Sequence, residues 1–208
     1  MLIVNMRSKT ILLTWVLLAS HSLSYAQDYG LQRDIPIDIK AASSDFNYAK
    51  NKLSFSRLRI KQGSMEIEAD YAETDKLDFD DGLWVFRGNV RIETALSLMT
   101  CDSARLTFKK RQLYNADING KPARFEQPDP KSDKTNQGEA NIMNYNVTEG
   151  TIALSDNAIF KDGANQMSGS SITYDVVSRS IRANAGEGSS VRIMIEANPS
   201  ATTQYNTD

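Results

Sequence analysis

Residues 84–92 read WVFRGNVRI, and this stretch indicates the fold class. Its apolar side chains Trp84, Phe86, Val90 and Ile92 all stand at even positions, and the residues between them are mostly polar. Alternation with a period of two is typical of a β-strand that turns one face inward and the other toward solvent. The stretch therefore predicts an extended strand with an apolar inner face.

The same pattern occurs at two further places, which indicates a repeated structural unit. Residues 53–60 (LSFSRLRI) and 152–160 (IALSDNAIF) alternate in the same way, but the first copy is one residue shorter and loses its alternation at Arg57 and Leu58. A bulge or bend at that point accounts for the loss. Each copy leads through a turn into a second strand, with Ala69, Cys101 or Gly169 at the equivalent position. This repetition predicts an elongated β-structure with a continuous interior rather than a single reaction centre.

The rest of the chain contains short alternating stretches separated by turn residues, and it has no sustained helical periodicity. We expect one all-β domain over residues 36–195, built from about sixteen short antiparallel strands, the last of them at residues 191–195. The polar stretch at residues 126–138 (EQPDPKSDKTNQG) is expected to be an exposed loop. Residues 196–208 are expected to form a disordered polar tail.

The N-terminal residues have the pattern of a secretory signal peptide. Arg7 and Lys9 precede a short apolar run, and Ser24-Tyr25-Ala26 offers small residues at the cleavage positions. We expect cleavage after Ala26, with residues 27–35 as a flexible lead into the domain. The alternative is an uncleaved membrane anchor, and the N-terminal residue of the protein taken from the cell envelope distinguishes the two.

The composition excludes several classes of function. Removal of residues 1–26 leaves 22 Lys and Arg against 26 Asp and Glu, a net charge of −4, so no basic surface for nucleic acid is expected. The one histidine, His21, lies within the signal peptide, so the commonest general base and metal ligand is absent from the mature chain. Cys101 has no cysteine partner and aligns with Ala69 and Gly169, which indicates a small interior side chain. We therefore expect no catalytic residues, metal or cofactor.

Six pieces of the chain resemble the OstA-like family, in the family's order. They are residues 34–39 (DIPIDI), 86–90 (FRGNV), 120–125 (GKPARF), 138–145 (GEANIMNY), 154–158 (LSDNA) and 169–174 (GSSITY). The resemblance implies a β-jellyroll, open at both ends, that carries lipopolysaccharide through the periplasm without catalysing a reaction. It also implies two partners, an inner-membrane-anchored jellyroll component and an outer-membrane translocon. The first repeat, residues 45–70, adds a hairpin beyond the shortest family members.

The resemblance also assigns candidate lipid contacts. Ile37, Phe125, Tyr145 and Val147 correspond to positions that meet lipid in this family. Three further apolar residues, Phe86, Leu154 and Phe160, face the same interior, and for them simple core packing is the alternative. The strands at the two ends are expected to pair edge to edge with related jellyrolls, which would also allow head-to-tail self-association.

Two other functions are compatible with an exported β-fold. Glu66 and Glu68 lie on one face of a strand, so a polysaccharide hydrolase with paired carboxylates is geometrically possible. Both carboxylates, however, alternate with Met65, Ile67 and Ala69 and are therefore expected to face solvent. The other alternative is the inner-membrane-anchored relative of the same transport system, with residues 1–26 retained.

Overall fold

The structure is a computed structural model that describes residues 35–76, 80–131, 134–163 and 165–195. The expected signal peptide, nearly all of the lead, and the tail lie outside these residues. The described residues form twelve strands. They are β1 (Asp38–Lys40), β2 (Ser43–Asn47), β3 (Lys52–Gln62), β4 (Met65–Thr74), β5 (Asp81–Glu93), β6 (Leu98–Lys109), β7 (Gln112–Pro128), β8 (Thr135–Asn146), β9 (Thr151–Asp162), β10 (Asn165–Asp175), β11 (Ile181–Asn184) and β12 (Arg192–Met194). No helix in the described part of the chain is long and apolar enough to cross a membrane.

All twelve strands belong to one antiparallel sheet whose order follows the chain. From β3 to β10 each strand pairs with the next, so successive strands are joined as hairpins. At one edge β1 and β2 both pair with β3, and at the other β11 and β12 both pair with β10. Each edge is thus formed by two short strands in line. The all-β prediction is confirmed.

The described residues form fewer and longer strands than the about sixteen short strands expected. β7 alone has 17 residues, and the stretch at residues 126–138 that was expected to be a loop is mostly strand. Residues 126–128 complete β7 and residues 135–138 begin β8, which leaves only a short connection between them. The loop prediction was wrong because Gln127, although polar, lies in register with the inward-facing side chains of β7.

A line of irregularities crosses the sheet near the middle of the long strands. The pairing shifts register between neighbouring strands from β4 to β10, and the backbone has positive φ at Arg57 (47°), Asn89 (45°) and Asp156 (58°). Gly88 also has positive φ, at 75°. Such irregularities bend strands and increase their twist. The bend expected where the first repeat loses its alternation is confirmed at Arg57.

This bend folds the sheet back on itself. Phe125 on β7 and Tyr174 on β10 are separated by two strands, so in a flat sheet they would lie more than about 14 Å apart. Their ring centroids are instead 5.5 Å apart. We call the half of the sheet that contains Phe55, Trp84 and Tyr174 the first layer. The half that contains Ile60 and Phe125 is the second layer, and the interior lies between them.

Candidate functional site: the apolar interior

The interior is lined by large apolar side chains from nearly every strand. The largest fully buried ones are Trp84, Tyr174, Phe86, Phe108, Phe125, Phe160, Leu58, Ile60, Ile67, Ile92, Met99 and Leu106. Toward the N-terminal strands, Trp84 stacks between Phe55 and Phe86, with centroid distances of 5.7 Å and 6.0 Å. The buried residues form one continuous cluster. The fold therefore encloses a long apolar interior.

All seven residues predicted to contact lipid belong to this cluster or pack against it. Phe86, Leu154 and Phe125 are fully buried, and Phe160 is nearly so. Tyr145 is buried with 6% of its surface exposed, and the pKa of its hydroxyl is raised by burial. The last two, Ile37 just before β1 and Val147 just after β8, are partly buried at the margin of the cluster. The inward orientation of these seven side chains agrees with the alternation, while their contact with lipid stays a prediction.

A polar cluster joins the two layers, and it was not predicted from the sequence. The Tyr174 hydroxyl donates to Gln127 Oε1 at 2.6 Å and accepts from Asn136 Nδ2 at 3.0 Å. Gln127 Nε2 donates in turn to the carbonyl oxygen of Val176 at 3.1 Å. We call Gln127, Asn136 and Tyr174 the Tyr174 clamp. Burial raises the pKa of Tyr174, while the Asn136 hydrogen bond opposes this effect, so at neutral pH the hydroxyl keeps its proton and can donate.

An ion pair lies beside the Tyr174 clamp. Arg179 Nη1 contacts Asp129 Oδ1, and both side chains are about a quarter exposed. Asp129 follows β7 in the second layer, and Arg179 follows β10 in the first. The pair therefore crosses between the layers in the same place as the clamp. The polar position of Gln127 within the inward alternation was the sequence signal that could have revealed this site.

Cys101, the cysteine of this chain, lies in the interior. Cys101 is buried, and desolvation raises the pKa of its thiol to about 12, so the reactive thiolate is scarce at neutral pH. This agrees with a small interior side chain. Within the described ranges no three side chains of the His, Cys, Asp and Glu types come together as a metal site.

Ion pairs join neighbouring strands on the described part of the outer face. Glu66 contacts Arg59 at 3.3 Å, and Glu68 contacts the same guanidinium. Lys52, at 3.0 Å from Glu73, lowers the pKa of that carboxyl. Ion pairs between neighbouring strands on a solvated face are ordinary sheet contacts. The pair of carboxylates considered for hydrolysis is therefore occupied by Arg59.

A polar depression of about 780 Å³ also lies on the outer face, over the bend. Its lining includes Asp102, Asn119, Lys121 and Asp156, all exposed. Asp102 follows the buried Cys101 on β6 and so points to the opposite side of the sheet. The depression is therefore separate from the apolar interior.

Comparison with known proteins agrees with this architecture. The solved structure of LptH, described as the LptA homologous periplasmic component of the lipopolysaccharide transport device of Pseudomonas aeruginosa, matches with a TM-score of 0.53. The match covers 79% of this chain and 98% of that one, at 20% sequence identity. At that identity the match shows a shared fold.

Sequence comparison extends the likeness beyond the fold. The chain is 31% identical over 137 residues to the lipopolysaccharide export system protein LptH of Pseudomonas aeruginosa, covering 63% of this chain and 74% of the relative. Residues 71–180, more than half of the chain, match the family described as LptA/(LptD N-terminal domain) LPS transport protein. The chain therefore belongs to the LptA/LptD N-terminal domain family of lipopolysaccharide transport proteins.

Proposed function

We propose that this protein binds lipopolysaccharide in the periplasm and carries it between the inner and outer membranes without catalysing a reaction. The observation that carries the proposal is the continuous apolar interior, which runs across all the long strands in a chain of this family. Cleavage after Ala26 would release the mature protein into the periplasm.

The energetics of lipid transfer favour such an interior. Each exposed CH₂ group costs about 0.8 kcal/mol in water, so a twelve-carbon acyl chain needs about 10 kcal/mol of apolar shelter. A chain that slides needs many similar contacts and no single deep minimum. Side chains such as Phe86, Phe125 and Leu154, repeated from strand to strand on the inner face, supply such contacts.

We expect photo-crosslinking to distinguish the two faces of the sheet. A photo-reactive residue at Phe125 or Phe86 should capture lipopolysaccharide, because both side chains lie in the interior. The neighbours Arg124 and Arg87 are matched controls, since they lie one residue away on the exposed face of the same strands. The measurement is the mass shift of the crosslinked protein from intact cells. Equal capture from inner and outer positions would contradict the assignment of the interior as the lipid site.

The two edges of the sheet are the candidate contact sites for the partners. We propose that the edge formed by β1 and β2 meets the inner-membrane-anchored component and that the edge formed by β11 and β12 meets the outer-membrane translocon. Copies of the chain could also join head to tail through these edges. An unpaired strand edge is a template for a further strand. The edge formed by β11 and β12 also presents apolar side chains to solvent, since Ile193 is 57% exposed and Met194 is 42% exposed.

A proline scan of β12 tests this edge. Successive residues of an edge strand direct their N–H groups alternately toward the sheet and toward the free side. One of the two variants, Arg192→Pro or Ile193→Pro, loses an N–H group that points toward the free side. That variant should fold normally but lose association, because proline has no donor to offer a partner strand. Sedimentation measures association, and circular dichroism checks folding. If both variants keep both folding and the association of the parent, the edge-pairing proposal fails.

A further inference from the structure

The interior is closed where the last strands face β7 and β8. Tyr174, Phe125 and Phe160 are buried, and the Tyr174 ring lies 4.8 Å from that of Phe160. The space beside Gly138 is occupied as well, since a Cβ atom placed there would lie 2.7 Å from Leu154 Cδ2. The two layers are therefore in direct contact here. An acyl chain can occupy this part of the interior only if the layers separate.

The Tyr174 clamp opposes that separation. It joins Gln127 and Asn136 of the second layer to Tyr174 and Val176 of the first through three hydrogen bonds of 2.6 to 3.1 Å. Gln127 is only 2% exposed and Tyr174 is fully buried, so water does not compete for the bond between them. Tyr174 lies toward the end of β10 and Gln127 toward the end of β7, both away from the bend. The bonds thus close the side of the interior opposite the bend.

We infer that the Tyr174 clamp is a latch on the C-terminal part of the interior, which must open before lipid occupies it. This inference rests on the proposed function, because the latch would control the access of lipid to the same binding site. The hydrogen bonds exist only in the closed arrangement, so they shift the population away from the state that binds. When only a small fraction of the protein is in the open, binding-competent state, the apparent affinity for lipid and the rate of lipid uptake are reduced by that fraction.

A reversible crosslink across the layers tests the inference. Asp129→Cys and Arg179→Cys replace the ion pair beside the clamp, in a Cys101→Ala background. A two-carbon bis-methanethiosulfonate reagent then joins the two thiols and a reducing agent releases them. We expect the crosslinked protein to bind purified radiolabelled lipopolysaccharide at least tenfold more weakly than the reduced protein, as measured by co-elution in gel filtration.

A crosslink within one layer is the matched control. Lys52 and Glu73 form an ion pair between β3 and β4 in the first layer, so Lys52→Cys with Glu73→Cys joins strands that need not separate. This crosslinked control should bind lipopolysaccharide as the parent does. If the crosslink between the layers leaves binding unchanged, the latch is refuted while the proposed function stands. If the parent itself binds no lipopolysaccharide, both proposals fail.

A second variant acts in the opposite direction. Tyr174→Phe keeps the ring against Phe125 and removes only the hydroxyl that bonds Gln127 and Asn136. Because both hydrogen bonds of the Tyr174 hydroxyl are lost from the closed state, we expect lipopolysaccharide uptake to become faster by about fivefold or more. Uptake at the parent rate would overturn the assignment of these hydrogen bonds as the latch.

Discussion

Replacement of Trp84 by Ala is expected to lower the free energy of unfolding by about 3–5 kcal/mol. Trp84 is fully buried, and its indole stacks between the rings of Phe55 and Phe86. Removal of the largest interior side chain forfeits its burial and leaves a cavity that a close-packed sheet cannot fill. Urea denaturation, followed by circular dichroism, gives the difference in unfolding free energy.

Leu83→Ala is the control for this prediction. Leu83 precedes Trp84 on β5 but faces the outer side, where 41% of its surface is exposed. We expect its substitution to change the unfolding free energy by no more than about 0.5 kcal/mol. Equal losses for the two variants would mean that the inner and outer faces of β5 are assigned wrongly.

Gly120→Ala is expected to cost about 3 kcal/mol or more of unfolding free energy. A Cβ atom at Gly120 would lie 2.6 Å from the backbone nitrogen of Ala123 and 2.9 Å from the carbonyl carbon of Pro122. Both atoms belong to the main chain at the bend of β7, where the pairing with β8 is interrupted. Relief of the clash would require the bend itself to move. Thermal unfolding of the purified variant measures the loss.

Gly82→Ala provides a matched comparison within the same sheet. The nearest atom to a Cβ on Gly82 is Trp84 Nε1 at 3.9 Å, an ordinary van der Waals distance. Alanine also restricts the unfolded chain, so we expect no loss and a gain of up to about 1 kcal/mol. If Gly120→Ala is tolerated as well as Gly82→Ala, the bend is less rigid than its backbone contacts indicate.

The fold class could be predicted from the sequence because the alternation is local. Trp84, Phe86, Val90 and Ile92 all turn inward as their even positions indicated. The strand number could not be predicted in the same way. Pairs such as Gly88-Asn89 resemble turn residues, but here they bend a strand that continues beyond them. Whether a chain reverses or only bends depends on pairing with distant strands, which a local pattern does not contain.

The side chains that line the interior could be predicted from the sequence, but the hydrogen bonds that close the interior could not. The alternation and the family resemblance placed Phe125 and Tyr145 on the inner face, as observed. The Tyr174 clamp joins residues 38 and 47 positions apart in sequence, across two layers. Gln127 and Asn136 lie in a polar stretch that indicates a solvated loop when read alone. Gln127 continues the inward alternation of β7, but its hydrogen bond to Tyr174 follows from the fold of the sheet and has no short-range signature.

The order of the strands has a consequence for the evolution of chain length. Because every long strand pairs with its neighbours in sequence, the gain or loss of one whole hairpin leaves all other pairings intact. It also preserves the inward and outward alternation, which a shift by a single residue would invert. Most contacts between strands span only one hairpin, which favours rapid folding for an all-β protein. Relatives of different length can therefore arise by duplication or deletion of hairpins, with each new edge strand inheriting the role of the old one.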